Sequence, residues 1–127
     1  MRTTMNSRIL VVDDDPDVLL FLSFALRREG YQVDTAPGGE AALHRVHQVR
    51  PDAVVLDVTM PGIDGPEVAR RLRAQPDTAG IPILMLTALS PMSRRTHDLQ
   101  AGGALCLTKP ISPAALAQAL RTIDPQP

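Results

Sequence analysis

The chain has 127 residues, enough for one domain that buries its own core without metal ions or disulfides. Lys and Arg (13) nearly balance Asp and Glu (14), giving a net charge of -1 and excluding bulk attraction to nucleic acid. A single cysteine, Cys106, excludes an internal disulfide; the longest apolar run, residues 81–89, is too short to cross a bilayer, and three aromatics, Phe21, Phe24 and Tyr31, give no stacking platform for single-stranded nucleic acid and leave the core to aliphatics.

Residues 9–12 form an apolar run that ends in Asp13-Asp14 and suits a strand covered on both faces. Asp15-Pro16 then supplies a cap and a first-turn proline for a helix that places Leu19, Leu22 and Leu26 on one face and stops at Gly30. Residues 32–36 are the second strand, and a second helix runs from about 39 to 49, ended by Arg50-Pro51. Residues 53–56 are the third strand and deliver Asp57. Gly65-Pro66-Glu67 opens the third helix, with Val68 and Leu72 inward and Arg70, Arg71 and Arg73 mostly solvated. The fourth strand, residues 83–86, is followed by Thr87, and Ser90-Pro91 opens a fourth helix that ends near Gly102-Gly103. Residues 104–107 form the fifth strand, with Lys109 just beyond it. Ser112-Pro113 opens a fifth helix with Leu116, Leu120 and Ile123 at inward spacing.

Five strand–helix units predict an α/β domain over residues 8–123, with segments 1–7 and 124–127 as flexible tails. The sheet is expected to be parallel and doubly wound, with helices on both faces and a ligand site outside the carboxyl ends of the strands. Asp13, Asp14, Asp57, Thr87 and Lys109 all lie at that rim. Carboxylates about 4 Å apart repel by roughly 4 kcal/mol per pair at an effective dielectric near 20, so a cation is expected among them. Mg²⁺ fits an all-oxygen acidic rim better than zinc, which prefers His and Cys. Lys109 is the only lysine beside twelve arginines, which indicates a need for a compact point charge. With phosphate present, Lys109 and the Thr87 hydroxyl would contact its oxygens, and the chemistry would be positioning and charge stabilisation.

Four motifs carry a family resemblance: Val11-Val12-Asp13-Asp14-Asp15, Leu56 to Gly65 (Leu-Asp-Val-Thr-Met-Pro-Gly-Ile-Asp-Gly), Leu86-Thr87-Ala88, and Leu107-Thr108-Lys109-Pro110. In this order, each at its own strand end, they resemble the receiver domains of two-component response regulators. The resemblance implies a flavodoxin-like (βα)5 fold with strand order 2-1-3-4-5. It also implies that Asp57 accepts a phosphoryl group from a histidine kinase, a phosphotransfer protein or a small phosphodonor. Asp14, Asp57 and the backbone carbonyl of Thr59 would ligate Mg²⁺, with Asp13 acting through water. Lys109 would contact the phosphoryl group and be joined to Pro110 by a cis peptide. Thr87 would close onto the phosphoryl group as the switch, and Ala88 would leave room for access. Thr59 and Leu89 would flank the path of the hydrolytic water.

One departure concerns output. The family usually carries Tyr or Phe three residues before the lysine, and here that residue is Cys106, preceded by Ala104 and Leu105. The fourth helix, fifth strand and fifth helix form the family's usual output face, which here includes Cys106 and Leu105, and residues 113–120 carry no charge. The expectation is a signal read by packing or loop movement, toward an apolar partner or a second copy.

Other readings fit less well. Asp13-x-Asp15 also resembles haloacid dehalogenase phosphatases, but those place the nucleophile on the first strand, need a longer chain and leave Asp57 unexplained. A calcium loop starting at Asp13 fails, with Val18 and Phe24 where Gly and Glu are required. A phosphate-independent receiver-like binding module remains as the alternative. His44 and His47 read as a solvated helix face, and Cys106 as a small strand residue, since no neighbouring basic group is evident to activate its thiol. No secretory signal is seen, so a cytoplasmic location is expected, with no membrane or direct nucleic-acid contact and no activity beyond self-phosphorylation and autodephosphorylation. No output domain follows the fifth helix, so the chain either signals by binding or is the front of a longer regulator.

Overall fold

Alternation along each strand divides the apolar side chains between two cores, and that division shapes the molecule. The computed structural model describes residues 7–88 and 105–123. Within them β1 (Arg8–Val12), β2 (Gln32–Ala36), β3 (Ala53–Asp57), β4 (Ile83–Thr87) and β5 (Leu105–Thr108) form one parallel sheet in the order β2-β1-β3-β4-β5. The helices are α1 (Pro16–Arg28), α2 (Gly39–Val49), α3 (Gly65–Arg73) and a C-terminal helix (Pro113–Ile123). The fourth helix expected from residue 90 to about 103 lies outside the described residues, as do Leu89 and Ala104.

Ile9 and Val11 of β1, Val55 of β3 and Leu84 and Leu86 of β4 pack against Leu22 and Leu26 of α1 and against Leu116 and Leu120 of the C-terminal helix. Their sequence neighbours Leu10, Val12, Val54, Leu56 and Met85 join Ala42 and Val46 of α2 and Val68 and Leu72 of α3 on the opposite face. Each fully buried aliphatic contributes about 1.5–3 kcal/mol of hydrophobic free energy, so a one-residue slip in register would be costly on both faces. The bulk of this core is aliphatic, as the scarcity of aromatics requires.

The helix ends follow local chemistry. Asp15 caps α1 by accepting from the Asp17 N–H at 2.9 Å, and Asp64 caps α3 by accepting from the Glu67 N–H at 3.0 Å. Ser112 accepts from the Ala115 N–H at 3.1 Å at the start of the C-terminal helix. Past the end of α1 the chain turns at Gly30, whose φ of 98° is open to glycine.

Several boundaries move. Ser7, placed with the tail by sequence, is buried, and its carbonyl accepts from the Gln32 N–H at 2.9 Å, so it belongs to the folded unit. Asp57 and Thr87 are the last residues of their strands rather than the first of the loops, because the ladder continues through Asp57 opposite Leu86 and Thr87 opposite Thr108. No described helix is long and apolar enough to cross a membrane.

Candidate functional site

The strand order reverses direction between β1 and β3, and the carboxyl ends of strands at such a point are where open α/β sheets bind ligands. Asp13 follows β1, held by its N–H donating to the Ala36 carbonyl at 3.2 Å. Asp57 ends β3 beside it. Lys109 follows β5 and is anchored by its own N–H, which donates to the Thr87 carbonyl at 2.7 Å. The Lys109–Pro110 peptide is cis, in line with the expectation from the resemblance.

From that anchor the Lys109 ammonium reaches back across β4 and donates to Asp57 Oδ1 at 3.0 Å, with Asp13 Oδ2 at 3.8 Å. Carboxylate oxygens of Asp13, Asp14 and Asp57 all lie within 4.8 Å of one another, the single cluster of metal-ligating side chains among the described residues. Asp13, Asp57 and Thr87 are buried, whereas Asp14 is exposed.

Asp13 shows how charged this pocket is. Burial pushes its carboxyl above the usual aspartate range, the Asp57 and Asp14 charges push the same way, and the Asp15 N–H and Lys109 oppose them. Its Oδ1 accepts from the Asp15 N–H at 2.9 Å, but its Oδ2 is buried and accepts no hydrogen bond. An orphaned buried carboxylate oxygen inside an all-oxygen cluster is the donor set of a hard divalent cation, so the residues fit such an ion.

The loop after β3 closes on its own start, next to Asp57. The Val58 N–H donates to the Leu86 carbonyl at 3.0 Å, and the Gly65 N–H returns to the Val58 carbonyl, also at 3.0 Å. Between them Thr59 is exposed, Met60 is buried, and Gly62 takes a φ of 75° at the tip. Ala88 follows Thr87 in an exposed position.

Other candidate residues are not gathered here. Leu105 and Cys106 diverge, since Leu105 packs on the α1 side of the sheet and Cys106 on the α2–α3 side. Burial raises the Cys106 thiol pKa, consistent with an unactivated strand residue. His44 and His47 are exposed on α2, and His47 Nδ1 lies 3.4 Å from Asp77. Arg70 and Arg71, read from sequence as mostly solvated, both grip Glu67, at 2.6 and 2.8 Å.

Sequence reasoning missed the outer face of α1. Leu20, Phe21 and Phe24 are 71%, 50% and 62% exposed. Phe21 borders a trough of about 620 Å³ that runs over Leu22 and Leu86 to Lys109, Pro110 and Ile111. The signal was available: these three residues fall off the Leu19, Leu22 and Leu26 stripe, so helical periodicity turns them outward.

The sequence matches the response regulator receiver domain over residues 9–121, and the chain belongs to that family. It is 41% identical over 119 residues to the alkaline phosphatase synthesis transcriptional regulatory protein PhoP of Bacillus subtilis, an alignment covering 94% of this chain and 49% of PhoP. The chain spans about half the length, or less, of the curated relatives it matches. Among solved structures, the chemotaxis protein CheY4 of Vibrio cholerae superposes with a TM-score of 0.85 at 33% identity, over 92% of this chain and 98% of that one. Response regulator TrrA of Thermotoga maritima, solved in complex with Mg²⁺-BeF, gives 0.81 at 36% identity, over 93% and 99%. The chain is a receiver domain of the two-component response regulator type.

Proposed function

We propose that Asp57 is the phosphoacceptor and that its phosphorylation is Mg²⁺-dependent. The observation that carries this is the Lys109 ammonium 3.0 Å from Asp57 Oδ1, beside the buried Asp13 oxygen that accepts no hydrogen bond. In the step, an Asp57 carboxylate oxygen attacks the phosphorus of a phosphohistidine. A P–O bond forms, the P–N bond breaks, and its electron pair leaves with the imidazole nitrogen. Lys109 and the Thr87 hydroxyl take the phosphoryl oxygens, and Thr87 draws the chain that follows it inward as the switch, with Ala88 leaving access. Asp13, Asp14, Asp57 and the Thr59 carbonyl would hold Mg²⁺, which neutralises the crowded negative charge when bound. The Mg²⁺-BeF complex of TrrA supports that assignment.

The phosphodonor is a protein, a histidine kinase or phosphotransfer protein. The exposed Phe21, which borders the trough that ends at Lys109, and the exposed Phe24 three residues on along α1 support this, since an apolar face continuous with the site suits a docking helix. Output would pass through β5 and the C-terminal helix, whose exposed Pro113, Ala114, Ala115 and Gln118 carry no charge. The domain turns over no substrate beyond its own phosphoryl group. Intact-mass measurement after incubation with acetyl phosphate tests the reading. One phosphoryl group is expected with Mg²⁺, and none with EDTA or in Asp57→Ala; a gain that survives either change overturns it.

A further inference from the structure

We infer that Gly65 is a positioning residue for phosphorylation: its missing side chain lets α3 lie directly against the backbone of Asp57, and that contact fixes where the Asp57 carboxylate stands. The inference rests on the reading of Asp57 as phosphoacceptor.

Gly65 is buried at the first position of α3. A Cβ there would collide with the Asp57 carbonyl oxygen and lie 2.9 Å from Val58 Cα. Both neighbours are backbone, with no rotamer that could swing aside. Gly65 is not required by dihedral angles, because the described glycines with positive φ are Gly30 and Gly62. At such a position Gly→Ala is ordinarily neutral or stabilising, so the requirement here is the close approach itself.

Neither partner is free to retreat. Asp57 ends a strand paired on both sides, with Leu56 opposite Val12 and Met85, and the Val58 N–H is bonded to Leu86. On the other side α3 is capped by Asp64 and buries Val68 and Leu72. An added methyl must therefore displace the strand end or the loop from Val58 to Asp64, which carries Thr59. The Gly65–Val58 hydrogen bond that closes this loop would stretch with it. An ångström of displacement at a reacting atom is enough to slow a step by orders of magnitude, while the two cores remain intact.

The test compares wild type, Gly65→Ala and Leu72→Ala, the last removing core volume one turn or more along α3 without meeting Asp57. Initial rates of acetyl phosphate labelling with saturating Mg²⁺ are measured across donor concentrations and divided by the folded fraction from circular dichroism. Trimethylamine N-oxide is added so that every variant is folded. Gly65→Ala is expected to lower the maximal rate per folded molecule at least tenfold, with the half-saturating donor concentration changed less than threefold, while Leu72→Ala keeps the wild-type rate within twofold. A Gly65→Ala rate within twofold of wild type overturns the inference, as does an equal slowing in Leu72→Ala. Absence of labelling in wild type would instead overturn the phosphoacceptor reading itself, and this inference with it.

Discussion

Replacing Asp13 with Asn is expected to stabilise the metal-free protein while removing most of its response to Mg²⁺. The three carboxylates lie within 4.8 Å, so each pair repels by ~3.5 kcal/mol at an effective dielectric near 20. Lys109, 3.8 Å from Asp13 Oδ2, returns ~4 kcal/mol of attraction on the same scale. Asp14 and the Lys109 head reach solvent, which reduces both figures, and Asp13 also bears a burial cost. The net gain for Asn is about 1–2 kcal/mol, a rise in Tm of roughly 3–8 °C. Asn retains the acceptor for the Asp15 N–H, so the turn into α1 survives. The sign with pH follows from the raised Asp13 pKa: the native state holds this proton more tightly than the unfolded chain. In EDTA, the Asp13 contribution to stability therefore falls as pH rises from about the unfolded value of 3.8 through the higher folded value, and the difference between wild type and the variant tracks that fall. Mg²⁺ at ten times its Kd should add about 1.4 kcal/mol to wild type and much less to the variant. Urea denaturation followed by circular dichroism, with EDTA and then with Mg²⁺, measures both. A variant less stable than wild type in EDTA, or one stabilised equally by Mg²⁺, would refute the account of Asp13 as a charge held ready for a cation.

Three further outcomes are expected. Glu67 is held at a pKa of about 2 by hydrogen bonds from Arg70 and then Arg71, so its contribution to α3 is present above pH 4.5 and lost as pH falls toward 2; an NMR titration midpoint near 4.5 would show that neither arginine holds it. Replacing Phe21 and Phe24 with Ser should leave labelling by acetyl phosphate within twofold and cut transfer from the phosphorylated cognate kinase at least tenfold; equal effects on both donors would remove α1 from docking. Because burial raises the Cys106 thiol pKa, its alkylation by iodoacetamide at pH 8 should be slower than that of free cysteine, and an equal rate would contradict the packing of Cys106 against the sheet.

The parts of this molecule that were legible in sequence are those governed by neighbours along the chain. Apolar runs ending in Asp13, Asp57 and Thr87 marked strands because a parallel strand covered on both faces needs nothing else. Asp15-Pro16, Gly65-Pro66 and Ser112-Pro113 marked helix starts because caps and first-turn prolines act over two or three residues. The single lysine stood out by composition, and the structure places it on Asp57. Features made by the tertiary fold were not legible. Gly65 reads as an ordinary helix opener until α3 is laid against β3. Grouping Leu105 and Cys106 as one surface overlooks the period-2 alternation of a strand, itself legible in sequence, which sends them to opposite sides of the sheet.

The most direct test of the central claim is to locate the phosphoryl group. Reduction of acetyl phosphate-treated protein with borohydride converts an aspartyl phosphate to homoserine, and tandem mass spectrometry reads its position. The account predicts homoserine at residue 57 alone, with Asp13 and Asp14 unchanged. Homoserine at residue 13 or 14, or a stable phosphohistidine in place of any reduced aspartate, would contradict it.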